Sequence, residues 1–245
     1  MSSPDGAFAT TAWSRILLAQ GRAPDCAERR QCLEHLAVAY WTPVYAFICR
    51  RGATTENALD LTQAYFTLFL EKNVVDQARP DKGRFRAFLL TSVRNFLANE
   101  ADYRKAAKRA PKEALRSLNI TEESSRAVML SVAAASDPPE TAFMREWARA
   151  VVAQAMERLR HACETDRTMD AWRIFDRHLN AVQSGADRSY EATAQELGFS
   201  VEKVRKGLFR ARKRFSDVLR EVIRESVTSD AEVDDELKDL RQYFA

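Results

Sequence analysis

The stretch ATAQELGFSVEKVRKGLFRARKRF, residues 192–215, has the pattern of two helices joined by one tight turn. Gly198 permits the left-handed backbone that ends a first helix, and Ser200 is placed to cap a second one. In the second helix Val204 and Leu208 recur on one side, while the other side is basic. A recognition helix needs this division, because one side packs and the other meets phosphates and base edges. We predict a DNA-binding helix-turn-helix; the alternative is a helical pair whose basic face is only solvated.

The charge of the chain changes sign beyond this motif. The net charge is only +3, yet residues 201–224 hold nine Lys or Arg against three acids. From Glu225 to Ala245 seven acids stand against two bases. A basic block of this kind indicates a polyanionic partner. The acidic tail either forms a helix that folds over the basic motif and shields it, or is an inert cap.

The remainder of the chain is predicted to be all-helical, so the fold class is all-α. Gly and Pro number only seven each in 245 residues, and runs rich in Val, Ile and Thr are scarce. Apolar residues recur at helical spacing in three segments between residues 26 and 108, and again from 141 to 226. Pro43 is expected to kink or divide the first of these segments.

Residues 108–140 separate two helical blocks. They have weak periodicity, a Ser/Ala-rich middle and a Pro-Pro end, and they are long for a loop inside one compact domain. We therefore predict two small helical domains joined by a long linker. The regions are an N-terminal extension (1–25), a first domain (26–109), the linker (110–140), a second domain with the helix-turn-helix (141–227) and an acidic C-terminal helix (228–245).

No pattern indicates an enzyme, a metal site or a cofactor. The four cysteines lack CxxC spacing, which favours reduced thiols, and His35, His161 and His178 are scattered on predicted helices. Neither a nucleophile motif nor paired carboxylates in a Gly-rich pocket is found. The first residues lack the basic start and apolar core of a signal peptide, and no run has the length of a membrane span. We expect a cytoplasmic protein that binds no membrane.

Four motifs in order give the chain a resemblance to a known family. They are HLAVAYWTPVYAFICRRG (35–52), ALDLTQAYFTLFL (58–70), KGRFRAFLLTSVRNFLANEADYRK (82–105) and ELGFSVEKVRKGLFRARKR (196–214). The chain resembles bacterial RNA polymerase sigma factors of the extracytoplasmic-function type, over roughly residues 26–109 and 141–226. The start FATTAWS, the long linker and the acidic tail resemble a subgroup found near Ser/Thr kinase genes.

The resemblance implies transcription initiation: promoter selection and melting by a protein that binds core RNA polymerase and has no catalysis of its own. Residues 26–109 would be sigma domain 2 and residues 141–227 sigma domain 4. The minus-ten strand would be contacted by Arg84, Phe85, Arg86, Arg94, Asn95, Asn99, Tyr103, Arg104 and Lys105. Minus-35 DNA would be contacted by Ser200, Lys203, Arg205, Lys206, Arg210, Arg212 and Lys213. The polymerase would be contacted by Asp60, Gln63, Thr67 and Glu71. Phe88 and Phe96 are more typical of core packing.

Two departures from the family pattern stand out. The family commonly has acids where this chain has Asn57, Leu59 and Ala64, and a basic residue is frequent where this chain has Gly207. A phosphothreonine adds about −1.5 to −2 charge at neutral pH. A kinase acting on Thr54, Thr55 or Thr67 could supply the missing charge and so activate polymerase binding. The competing interpretation is that Thr54 or Thr55 only caps its helix.

The partners expected are therefore core RNA polymerase, promoter DNA and either a Ser/Thr kinase or an anti-sigma factor. The alternative function is a helix-turn-helix regulator that acts on duplex DNA without polymerase. That alternative expects residues 54–72 to be buried and gives the aromatic and basic stretch at 84–105 no use.

Overall fold

A first group of helices follows from the three apolar segments near the start of the chain. The computed structural model describes residues 16, 20, 26–71, 74–107, 137–225, 227 and 229–243. Within them there are eight α-helices and no strand, which confirms the all-α prediction. In chain order they are α1 (Ala27–Arg50), α2 (Thr55–Glu71), α3 (Phe85–Ala107), α4 (Pro139–Thr165), α5 (Met169–Ser184), α6 (Tyr190–Leu197), α7 (Val201–Arg224) and α8 (Asp230–Gln242).

The chain divides into two units, and their boundaries differ from the predicted domains. One unit comprises Met1–Ala150 with Arg224–Ala245, and the other comprises Val151–Ile223. The boundaries fall inside α4 and near the end of α7. The acidic tail therefore groups with the N-terminal part of the chain, a pairing too distant in sequence to predict. Most of the predicted linker and of the N-terminal extension lies outside the described residues.

In the first unit the helices α1, α2 and α3 share an aromatic core. Trp41 of α1 stacks on Phe66 of α2 at 5.5 Å, and Tyr65 of α2 meets Phe96 of α3 edge-on at 5.5 Å between ring centroids. Pairs of this geometry add about 0.5–1.5 kcal/mol to the gain from area burial. Pro43 lies inside the continuous helix α1, so of the two expected outcomes, a kink or a division, the division does not occur. Gly52, with φ of 92°, follows the end of α1 in the left-handed region, which glycine adopts without a steric cost.

In the second unit α5, α6 and α7 pack around a smaller core with the part of α4 that belongs to this unit. Its buried members are Leu159, Cys163, Ile174, Phe175, Ala194, Val204, Leu208 and Ala211. They come from all four helices at helical spacing, so one apolar side of each helix closes the core. This core positions the helix-turn-helix.

Candidate nucleic-acid interface

The turn of the helix-turn-helix has the geometry that its sequence predicts. Gly198 adopts φ of 68°, and the amide of Phe199 then donates to the carbonyl of Ala194 at 2.9 Å. This is the left-handed cap that glycine adopts without a steric cost. The hydroxyl of Ser200 accepts a hydrogen bond from the amide of Lys203 at 3.2 Å and so caps α7. Gly198 ends α6 and Ser200 starts α7, as expected.

Helix α7 divides its side chains between an apolar and a cationic face. Val204, Leu208 and Ala211 are 1–2% exposed and pack in the core of the second unit. All the predicted minus-35 residues lie exposed on the other side: Ser200, Lys203, Arg205, Lys206, Arg210, Arg212 and Lys213. Phe209 is 71% exposed among them, a large apolar side chain available for contact with a base or a thymine methyl group.

Several of these cations already have partners on the protein surface. Lys203 donates to Asp170 at 2.6 Å and lies 3.9 Å above the Phe199 ring, while Lys206 pairs with Glu202 at 2.7 Å. Exposed ion pairs contribute about 0–1 kcal/mol each, so phosphates can replace these carboxylates at little cost. These ion pairs therefore order the cations of α7 and still leave them able to bind phosphates.

Gly207 lies on the inner side of α7, against α5. A Cβ at this position would stand 2.7 Å from Cδ1 of Ile174, closer than side chains approach in proteins. Together they line a cleft of about 580 Å³ that is bordered by Lys203, Lys206, Arg210 and Arg214. A side chain longer than glycine at this position would meet Ile174, which is a packing reason for the departure from the family pattern. Its glycine allows two helices to pack closely.

A second concave surface lies on α3 in the first unit. Asn95 and Asn99, both predicted to contact the minus-ten strand, are exposed at the rim of a cleft of about 610 Å³. Phe88 is half-buried: its ring lies 5.9 Å from that of the core residue Phe85 and also lines the wall of the cleft. Gln77 and Ser92 also line the cleft, and sequence reasoning missed both. Amides beside an aromatic ring are the groups that hold an unstacked base.

The other predicted minus-ten residues differ in accessibility. Arg94 is exposed and donates to Glu140 at 2.6 Å, and this bond lowers the pKa of the Glu140 carboxyl. Tyr103, Arg104 and Lys105 lie on α3, but their side chains fall outside the described residues. Arg94 is thus the cation that α3 presents near Asn95.

Phe85 and Arg86 are buried, which corrects the prediction that both are open to DNA. Phe85 is 2% exposed and meets Tyr40 edge-on at 5.5 Å, so it belongs to the core. Arg86 is 6% exposed and, like the half-buried Arg84, forms ion pairs with α8. Sequence reasoning placed both arginines on a basic surface because their partners lie about 150 residues further along the chain.

Helix α2 leaves a polar strip uncovered on one side. Asp60 and Glu71 are exposed, and Gln63 and Thr67 are half-buried beside them. Their spacing puts these four side chains on one face of the helix. The four residues predicted to contact polymerase are thus accessible together, at least in part.

The threonines near the start of α2 have different surroundings. Thr54 and Thr55 are exposed, and the Thr54 hydroxyl accepts from the Asn57 amide at 3.4 Å, a capping contact. Thr62 is buried and donates to the Ala58 carbonyl at 2.7 Å, which removes it as a kinase target. Thr67 lies half-buried on the polar strip.

Comparisons with known proteins do not assign a function to these surfaces. A scan against protein-family models and searches of curated proteins and of solved structures return no match. In the part of the chain that the structure describes, no helix has the length and apolarity needed to cross a membrane. The same residues contain no group of three or more His, Cys, Asp or Glu side chains arranged to hold a metal ion.

Proposed function

We propose that the chain is an alternative sigma factor of the extracytoplasmic-function type, which directs core RNA polymerase to specific promoters and assists their melting. The observation that carries this proposal is the two-sided helix α7, with its buried apolar side and its exposed cationic side. In this function α6 and α7 bind minus-35 duplex DNA, with α7 in the major groove. Lys206 and Arg210 bind phosphates there, and their charge makes binding salt-dependent.

The α3 cleft supports the melting part of this function. Promoter melting exposes unpaired bases, which need a cavity, amide groups and an aromatic surface. Asn95, Asn99 and Phe88 offer these groups around one concave surface. A regulator that acts only on duplex DNA has no use for such a cleft. The polar strip of α2, exposed at Asp60 and Glu71 and half-buried at Gln63 and Thr67, also favours the sigma-factor proposal, because that alternative expects the helix to be buried.

Polymerase binding is assigned to the polar strip of α2, and charge reversal tests the assignment. The double variant Asp60→Lys/Glu71→Lys is expected to weaken binding to core polymerase at least about tenfold, equivalent to about 1.4 kcal/mol. Glu34→Lys, which reverses an exposed charge on α1, is the matched control and should bind normally. Affinity is measured by titration of labelled protein with core enzyme. Equal affinity of all variants would contradict the assignment.

Threonine phosphorylation is the activating event in this proposal. A phosphate on Thr54 or Thr55 lies at the positive end of the α2 dipole, and one on Thr67 lies on the polar strip. Capping and charge are separable at Thr54, because Asn caps a helix as well as Asp does but carries no charge. Thr54→Asp is expected to bind core polymerase more tightly than Thr54→Asn, and the same pair of variants applies to Thr55 and Thr67. If the Asp and Asn variants bind core polymerase with equal affinity at all three positions, the threonines only cap the helix and phosphorylation does not activate polymerase binding.

A further inference from the structure

Helix α8 packs on the rest of the first unit through an apolar stripe that contains one buried acid. Val233, Glu236 and Leu240 are 1%, 2% and 5% exposed, and their spacing places them on one side of the helix. A carboxylate is almost never buried without a cationic partner. The position of Glu236 in the middle of the stripe therefore requires a specific partner on the surface beneath α8.

Two arginines at the start of α3 are that partner. Glu236 accepts a hydrogen bond from Nη1 of Arg86 and forms an ion pair with Nε of Arg84 at 3.1 Å. Asp239 accepts from Nη2 of Arg86 at 2.6 Å and from Nη1 of Arg84. Each guanidinium thus meets both carboxylates. Charge-assisted bonds of this kind are about twice as strong as those between neutral groups.

The two arginines together form an anion site, which Glu236 and Asp239 occupy. Arg86 lies 4.3 Å above the Trp147 ring and is fixed there. Burial, and then the neighbouring charge of Arg84, lowers the pKa of Arg86 to about 10. Two adjacent guanidiniums repel each other unless an anion lies between them. A DNA phosphate offers the same forked geometry of acceptors as a carboxylate.

We propose that α8 is an internal competitor of nucleic acid, in which Glu236 and Asp239 occupy the guanidiniums of Arg84 and Arg86 that would otherwise bind a DNA phosphate. In the absence of DNA, α8 then covers the guanidiniums of Arg84 and Arg86, and DNA binding displaces α8. This inference rests on the proposed function and on the expectation, drawn from the family resemblance, that both arginines contact the minus-ten strand; in the chain alone α8 covers them.

The test compares near-isosteric neutral variants of the full chain without polymerase. Glu236→Gln/Asp239→Asn removes the two charges that face the arginines and keeps Val233 and Leu240. The matched control is Asp230→Asn/Asp235→Asn, which removes the same charge from the exposed side of α8, where the partners are Arg224 and Lys238. The probe is a fluorescently labelled DNA single strand of mixed sequence, followed by anisotropy over a range of salt concentrations. Hydrogen exchange of α8 reports its release.

The Glu236→Gln/Asp239→Asn protein is expected to bind the strand about tenfold more tightly than the wild type and to show faster hydrogen exchange in α8. The dependence of log affinity on log salt should steepen by about 0.7, for one added phosphate contact on a single strand. Addition of Arg84→Ala/Arg86→Ala should remove the gain, and the control should show neither effect.

Three outcomes would overturn the inference. Release of α8 without tighter DNA binding would overturn it and leave the proposed function intact, because duplex and polymerase binding are measured separately on the same variants. An equal gain in the control would mean that net charge, and not the arginine site, governs binding. If no variant, including one lacking residues 228–245, binds DNA or core polymerase, the proposed function fails as well.

Discussion

Replacement of Gly207 by alanine tests whether close packing of α7 on α5 positions the recognition helix. An added Cβ would lie 2.7 Å from Cδ1 of Ile174, about 1 Å inside an ordinary carbon contact. Ile174 is 1% exposed, and the contacted Cδ1 is the end of its side chain, which must shift to admit the new Cβ. Overpacking of this kind costs about 1–3 kcal/mol, whereas alanine gains up to about 1 kcal/mol over glycine in a helix. Gly207→Ala should therefore destabilise the second unit by up to about 2 kcal/mol.

Shortening Ile174 supplies the decisive control for this prediction. Ile174→Val alone should cost about 0.5–1.5 kcal/mol, but it removes the atom that the new Cβ would strike. The next nearest atom of Ile174 is 3.9 Å away, an ordinary contact. Gly207→Ala should then stabilise the Ile174→Val protein by about 1 kcal/mol, the ordinary helix gain. The same substitution thus changes sign with its background, a coupling of about 1–3 kcal/mol.

Hydrogen exchange of the α5 and α7 amides measures this coupling, because it reports the opening free energy of the unit itself. Urea denaturation followed by circular dichroism gives the same comparison for the whole chain. If the changes in unfolding free energy caused by the two substitutions add within about 0.5 kcal/mol, the contact between residue 207 and Ile174 does not affect stability, and the account of Gly207 is refuted. Stabilisation of the wild-type protein by Gly207→Ala would refute it equally.

Three further predictions concern the DNA surfaces and pH. Arg210→Ala should weaken duplex binding uniformly across sequences and reduce the salt slope by about 0.9, measured by anisotropy; an unchanged slope would exclude a phosphate contact. Asn95→Ala/Asn99→Ala should reduce promoter melting, read by permanganate reactivity of unpaired thymines, while duplex binding stays normal; a parallel loss of both would contradict the cleft assignment. Burial, and then Arg212, lower the pKa of His178, so its contribution to stability is complete above pH about 6.5 and is lost as pH falls through the lowered folded pKa. Urea denaturation should show this loss, and His178→Gln should remove it; an identical pH profile in the variant would assign the effect elsewhere.

The sequence predicted those features that depend on neighbouring residues. Helical spacing indicated the helices, Gly198 and Ser200 located the turn, and the 3.6-residue period assigned Val204 and Leu208 to the core. Each of these signals lies within a few residues of the structure that it describes. The exposed cations of α7 follow from the same period.

Features that depend on distant partners could not be predicted in the same way. In the sequence, Arg86 has the pattern of a surface arginine, because its partners Glu236 and Asp239 lie far along the chain. Gly207 has the pattern of a lost basic residue, because its neighbour Ile174 belongs to another helix. Phe85 and Phe88 have the same residue type three positions apart, yet one packs on Tyr40 and the other lines a cleft. Their roles are fixed by tertiary packing, which a local pattern does not contain.

Transcription with purified core RNA polymerase from the same source organism tests the central proposal most directly. The chain and core enzyme are incubated with a pool of genomic DNA fragments, and the 5′ ends of the transcripts are sequenced. The proposal predicts initiation at a defined set of sites that share two sequence elements, with more transcript from the Thr54→Asp chain than from the unphosphorylated wild type and loss of initiation when Asp60→Lys/Glu71→Lys is added. Binding of duplex DNA by the chain with no complex with core polymerase, for either the wild type or the Thr54→Asp and Glu236→Gln/Asp239→Asn variants, would contradict it.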